Sequence, residues 1–287
     1  MMPEDEGLSA NPAQRKSSQF LEQKALHVRK ELLNMIYRSG TGHIGGALST
    51  VDLLVTLFYD VLKFSPQNCD SPDRDRFILS KGHSCEAYYA ILADRGFFPK
   101  IELEGFCKFD SLLLGHPHPK IPGVEIATGS LGHGLSVAAG MALAGKMDGR
   151  SYRVFCLTGD GELTEGSLWE AAMAAAHYRL DNLVCIIDCN GLQISGPTRT
   201  IMDTEPLAEK WRSFGWRVRE TDGHSFPEIR KSLALLPYEK GHPSLLIAHT
   251  VKGKGISFME GDSGWHHRVP KETEYNQAVS ELNKMRV

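Results

Sequence analysis

Short runs of strand-forming residues alternate with helix-patterned segments along this chain, and that alternation limits its fold more than any other feature. Strands are expected at residues 77–79, 153–158, 183–188, 216–220 and 245–248. Helical spacing is clearest over 20–38, where Leu21, Ala25, Val28, Leu32, Leu33 and Ile36 recur on one face. Further helices are expected at about 50–62, 132–147, 167–179, 206–214 and 226–236. The stretch from Ser39 to Gly46 reads as too glycine-rich to continue the first helix. Apolar strands alternating with helices predict an α/β fold: a three-layer, doubly wound, mostly parallel sheet with helices on both faces. No repeat or linker divides the chain, so a tail over residues 1–19 and a single domain over 20–287 are expected.

In such a sheet, ligands bind at the carboxyl ends of the strands, beside helix N-termini. The unusual residues of this sequence fall there. Lys81-Gly-His83 follows one strand, Gly159-Asp-Gly161 another, Asn190-Gly191 a third, and residues 249–255 the last. Net charge is only −3, from 32 basic and 35 acidic residues, so no long-range field favours nucleic acid and a phosphate must be held by local geometry. The six cysteines form no CxxC pair and read as reduced core thiols. The polar first residues do not form a signal peptide, and no apolar run is judged to approach membrane-spanning length. A cytoplasmic location, with no membrane and no nucleic-acid partner, is the expectation.

Gly159-Asp160-Gly161 lets the backbone turn sharply against an anionic ligand at the mouth of a helix. Asp160 is a hard oxygen ligand suited to magnesium, which wants six oxygens and shares them with phosphate and water. Asn190 follows 30 residues later, a separation of one helix and one strand. A strand-end Asp and a neighbouring strand-end Asn would then face each other, with a backbone carbonyl just past the Asn as a third donor. Gly-Asp-Gly by itself is also found as a plain turn.

The surrounding motifs narrow the reading. They are Ser39-Gly-Thr-Gly-His43, Lys81-Gly-His83-Ser, Leu114-Gly-His116-Pro and Ala127-Thr-Gly-Ser-Leu-Gly-His-Gly134. Then come Gly159-Asp-Gly-Glu-Leu-Thr-Glu-Gly166, Asn190-Gly-Leu-Gln-Ile-Ser-Gly196, and Thr250-Val-Lys-Gly-Lys-Gly255 with Trp265-His266. In order and spacing, from about residue 20 to 270, they resemble the N-terminal part of transketolases. The resemblance implies thiamine diphosphate and Mg2+ (or Ca2+ or Mn2+) as cofactors, with Asp160, the Asn190 side chain and the Leu192 carbonyl as metal ligands. It implies that Gly161, His83, Lys252 and His266 contact the cofactor, that Gly129, Ser130 and Leu131 lie along it, and that Ile194 packs against it. His43, His116 and His266 would line the substrate channel and move protons. Glu165 would join a carboxylate cluster at an interface between subunits.

The implied activity is transfer of a two-carbon ketol unit from a ketose, often a phosphate, to an aldose. A transketolase also needs a pyrimidine-binding and a C-terminal section, so the sequence reads as the N-terminal subunit of a split enzyme, an α2β2 assembly with a C-terminal partner. A truncated piece of a longer protein is the alternative. Rival readings are a 1-deoxyxylulose-phosphate synthase, the α subunit of a 2-oxo-acid dehydrogenase, and a non-catalytic homologue. The second should lack the Lys-Gly-His and Gly-His-Pro histidines. His27, His177, His224 and His242 read as surface or satisfied histidines, whereas His118 and His133 sit inside motifs without an assigned role. Glu170 reads as a capping-box partner of Ser167. It lies about 140° around a helix from Glu165.

Overall fold

A computed structural model describes residues 16–285. The expected tail over 1–19 lies, for residues 1–15, outside the described residues. Helix α1 (Ser18–Ser39) starts where the Ser17 hydroxyl accepts the Phe20 N–H at 3.1 Å, and it buries the Leu21–Ile36 stripe that its sequence spacing predicts. Then follow α2 (Ile44–Thr56), a π turn (Leu57–Val61), β1 (Arg76–Leu79), α3 (Cys85–Asp94), α4 (Gly134–Met147) and β2 (Val154–Gly159). Next come α5 (Gly166–His177), β3 (Leu183–Cys189), and a small antiparallel pair, β4 (Leu192–Gln193) and β5 (Gly196–Pro197). The chain continues through α6 (Thr198–Ile201), α7 (Leu207–Ser213), β6 (Arg217–Asp222), α8 (Phe226–Leu233), β7 (Ser244–His249) and α9 (Glu272–Lys284).

Five strands form one sheet in the order β1-β2-β3-β7-β6, every neighbouring pair parallel. Alternate side chains of a strand point to opposite faces, and this divides the core in two. Phe77, Leu79, Phe155, Leu157, Val184, Ile186 and Leu246 pack under α1, α2, α3 and α8. Ile78, Cys156, Cys185, Ile187, Leu245 and Ile247 pack under α4, α5 and α7. The second layer is built from alanines, Ala138, Ala142, Ala172 and Ala175 among them, which lets α4 and α5 lie close to the sheet. Among the described residues all six cysteines are free.

Four expectations need correction. Helix α2 begins at Ile44, not near residue 50, and it contains Gly45 and Gly46. Gly45 serves a close approach, not a break: a Cβ there would stand 2.7 Å from the Trp265 carbonyl oxygen. With its π turn, the apolar stretch Ile44–Val61 reaches 18 residues, long and apolar enough to cross a membrane, contrary to the expectation from sequence. It is 83% buried inside the fold, as expected of a central core helix. Helix α3 has no counterpart among the expected helices, and Ser167 does not cap α5. Its hydroxyl donates instead to the Gly132 carbonyl at 3.1 Å.

A buried ionic cluster ties the first layer together. Arg29 of α1 grips Asp52 of α2 with two bonds of 2.9 and 2.7 Å. His224 Nδ1 lies 2.7 Å from the same carboxylate, and His224 Nε2 accepts the Val251 N–H at 2.9 Å. Burial works against charge on Asp52, but Arg29 and His224 outweigh it and hold the carboxyl down at about 2. His224 is thus a satisfied structural histidine.

Candidate active site

Four adjacent strands, β1, β2, β3 and β7, deliver their C-terminal turns to one edge of the sheet. Lys81 follows β1, Asp160 follows β2, Asn190 follows β3 and Lys252 follows β7. A cavity of about 380 Å³ opens there.

At its floor lies an ion pair. Lys81 Nζ stands 2.5 Å from Asp188 Oδ2, with side chains 3% and 0% exposed. Asp188 also accepts from Ser49 Oγ at 2.7 Å, from Asn190 Nδ2 at 3.1 Å, and from the Thr250 hydroxyl. Burial opposes its charge, yet Lys81 and the two hydroxyls keep its pKa below the ordinary carboxylate value. An ionised carboxylate can only accept, so Asp188 fixes the Asn190 amide with its nitrogen inward. The amide oxygen turns the other way and accepts the Leu192 N–H at 3.1 Å.

Asp160 caps the turn after β2, its two oxygens accepting the Gly161 N–H at 2.8 Å and the Gly191 N–H at 2.6 Å. Burial, and then the neighbouring Asp188, push its carboxyl up to about 6. Asp160, the Asn190 amide and Leu192 with its carbonyl all line the cavity. They are hard oxygen donors, the set that suits Mg2+, and a divalent cation would offset the unfavourable charge on Asp160. Glu162 braces this edge: it accepts from Ser80 Oγ at 2.5 Å, from the Gly132 N–H at 2.8 Å and from the Gly159 N–H at 3.1 Å. Gln193 also lines the cavity, and its Oε1 is buried without a partner among the described residues. The oxygen donor set fits a divalent cation that also carries an anionic ligand, whereas the Gln193 oxygen, an acceptor, can meet a donor or a cation but not the anion.

Above the floor stand the histidines. The ring of His43 has its centroid 5.3 Å from His83, 5.9 Å from His116 and 5.7 Å from His266. His83 and His266 stack at 5.2 Å. Burial lowers the pKa of all four, and nearby positive charge deepens the effect for three of them. His43 falls to about 4 and His266 to about 3, with His83 lower still. Near neutral pH these are neutral imidazoles, each with one donor and one acceptor nitrogen. His266 Nδ1 accepts from Lys252 Nζ at 2.9 Å, and burial together with Lys81 lowers Lys252 to about 8. Gly129 lets the neighbouring loop lie on His116: its φ is +141°, and a Cβ would stand 2.8 Å from the imidazole.

A profile of the family described as "Transketolase, thiamine diphosphate binding domain" matches residues 22–283. The chain belongs to the transketolase family. Thiamine diphosphate is the cofactor that this transketolase domain binds. The chain is 46% identical over 264 residues to one of the subunits of the apulose-4-phosphate transketolase of Phocaeicola vulgatus, covering 92% of this chain and 94% of the relative. It is 42% identical over 265 residues to a 6-deoxy-6-sulfo-D-fructose transketolase subunit of a Clostridium species, covering 92% and 96%. Human transketolase is 39% identical over 265 residues, which are 92% of this chain and 42% of the human protein. The solved transketolase of Campylobacter jejuni superimposes with a TM-score of 0.87 at 31% identity, over 93% of this chain and 43% of that one. The chain therefore spans about two-fifths of these longer transketolases and nearly the whole of the relatives named as subunits.

Of the residues that the transketolase resemblance singles out, the fold brings His43, His83, His116, Gly129, Leu131, Asp160, Gly161, Glu165, Asn190, Leu192, Ile194, Lys252 and His266 to one cavity. Ser130 is exposed and is not on its lining. His118 and His133 are not there either. His118 bonds the Leu112 carbonyl at 3.1 Å, and His133 lies beside the Leu131 carbonyl at 3.0 Å. Sequence reasoning gives no role to Lys81 or Glu162, although both stand inside quoted motifs, nor to the buried Asp188. It also passes over His267, whose ring lies 4.5 Å from His43. The tandem His266-His267 is the available signal.

Proposed function

We propose that this chain, with a C-terminal partner subunit, transfers a two-carbon ketol unit from a ketose to an aldose. The observation that carries the reading is the set of neutral imidazoles gathered over an Asp160–Asn190 oxygen pair in one cavity. Asp160, the Asn190 amide and the Leu192 carbonyl hold Mg2+. Gly161, His83, Lys252 and His266 contact the cofactor, His83 and His266 near its diphosphate. Gly129, Ser130, Leu131 and Ile194 lie along the rest of it. When bound, thiamine diphosphate supplies the carbanion stabilisation that the cleaved carbon–carbon bond requires.

The chain's own residues do the remaining work. Neutral His43 and His116 orient donor hydroxyls, and each can take a proton on one nitrogen while giving one from the other. His266 is held by the Lys252 ammonium, so its Nδ1 stays an acceptor and its Nε2 carries the proton. Glu165 meets its counterparts where two sites adjoin in an α2β2 assembly. The chain works as one unit over residues 20–287, in the cytoplasm. Names of relatives and a solved Pichia stipitis complex mention apulose-4-phosphate, 6-deoxy-6-sulfo-D-fructose and sedoheptulose-7-phosphate. These support an anionic ketose, phosphate or sulfonate, as donor. The test is a ketol-transfer assay on this chain mixed with the C-terminal subunit, cofactor, Mg2+ and a ketose phosphate. Transfer that requires all four supports the reading; a fully loaded complex that turns over no ketose contradicts it.

A further inference from the structure

Glu86, on the first turn of α3, has no part in the chemistry above. It is 0% exposed. A buried carboxyl is costly without a cation or full hydrogen bonding, and among the described residues no cation contributes to holding this one. Its Oε1 accepts the backbone N–H of His43 at 2.7 Å, while Oε2 has no partner among the described residues. Gly42 permits the contact. At its φ of +148°, a Cβ would stand 2.7 Å from Glu86 Oε1 and 2.6 Å from Ile36 Cγ1. His43 is the N-cap of α2 and makes no side-chain capping bond. The bond from α3 therefore fixes the one residue whose ring stands 4.5–5.9 Å from those of His83, His116, His266 and His267.

We propose that Glu86 is the positioning residue for His43: it holds the His43 backbone at the start of α2 and, by gaining or losing one proton, sets the charge against which that imidazole works. This rests on the role given to His43 above. Burial pushes Glu86 up to about 7, against the hydrogen bond from His43. The groups that face it are Cys85 and Tyr89 of its own helix, Cys107 from the loop before His116, and His43 itself. Burial raises both thiols and the phenol above their ordinary values, and His43 sits at about 4. Glu86 is thus the member of this set that changes charge near neutral pH. Once ionised, it strengthens its bond to the His43 N–H and favours a protonated ring; neutral, it leaves the ring uncharged.

Histidine side-chain NMR of the full chain, from about pH 5.5 to 8.5, tests the coupling directly. The His43 signal should shift with an inflection near 7, set by Glu86. Glu86→Gln keeps an acceptor oxygen and cannot titrate, so the inflection should vanish while circular dichroism stays native. In the complex with its partner, Glu86→Ala should lower kcat about 10–100-fold with cofactor affinity held, and this loss should disappear in a His43→Ala background. An inflection that survives Glu86→Gln, or losses that add in the double variant, would overturn the proposal. Should Glu86→Ala not fold, the Gln variant alone decides. If the inflection behaves as expected but the complex transfers no ketol unit, the functional reading fails and the Glu86–His43 coupling stands.

Discussion

The Arg29–Asp52–His224 cluster and the strand-end cluster around Lys81 and Asp188 are both buried, and they are satisfied to very different degrees. In the Arg29–Asp52–His224 cluster, each group meets an opposite charge or a matched donor, and Arg29 Nε also donates to the Lys254 carbonyl at 3.2 Å. At the strand ends, Lys81 and Asp188 pair well, but Asp160 is left beside another carboxylate and Lys252 beside another ammonium. Four imidazoles are held neutral above them. A cluster that only holds a fold together can be fully satisfied from within. One that must receive a charged ligand leaves its charges displaced until it arrives.

The comparison breaks most sharply if the site and the cluster respond alike to mutation. His116→Ala should lower turnover of the assembled enzyme by about 10²–10⁴-fold if that imidazole moves a proton. Cofactor affinity and melting temperature should stay near wild type. A variant with wild-type kcat would make His116 a structural residue. Arg29→Met should do the reverse. Leaving Asp52 buried without its partner costs about 3–5 kcal/mol, read by urea unfolding, and should leave cofactor affinity unchanged. A fall in cofactor affinity without loss of stability would join the two clusters functionally.

A smaller effect separates them by pH. The site histidines have folded pKa values below the ordinary value near 6.5, His43 at about 4 and His266 at about 3. The unfolded chain then binds more protons in that interval, so their contribution is complete above pH 6.5 and is lost as pH falls toward 3–4. Glu86 and Asp160, raised to about 7 and about 6, and Glu162, also raised by burial, work in the opposite sense, three groups against four. Asp52, held at about 2, contributes stability that is present above its unfolded value near 3.8 and lost only as pH falls through 2. Thermal melts should show stability declining between pH 6.5 and 4, and His83→Phe should flatten that decline. A decline confined below pH 4 would assign acid sensitivity to the Asp52 cluster.

Much of this is legible in the chain. Apolar strand cores and the α1 stripe set local structure by burial alone, so Leu21 to Ile36 and the runs at 77–79, 153–158, 183–188 and 245–248 fall where their spacing puts them, whereas β6 is mostly half-buried or exposed. Metal-ligand candidates are legible because glycines flank them at strand ends. Glycine misleads at α2, since Gly45 serves an approach by Trp265 that only the folded chain reveals. Strand order is not readable either, because β7 inserts between β3 and β6 and nothing in the spacing says so. Asp188 and Glu86 escape notice for one reason: in sequence each is a polar residue in an apolar stretch, and its role lies in a bond to a residue far along the chain.

The most direct test of the site is calorimetric titration of thiamine diphosphate into the assembled protein, with and without Mg2+, for wild type, Asp160→Ala and Asn190→Ala. Wild type should bind tightly only with the metal, and both variants should lose the metal-dependent part while keeping native circular dichroism. Undiminished, Mg2+-dependent affinity in both variants would contradict the assignment of Asp160 and Asn190.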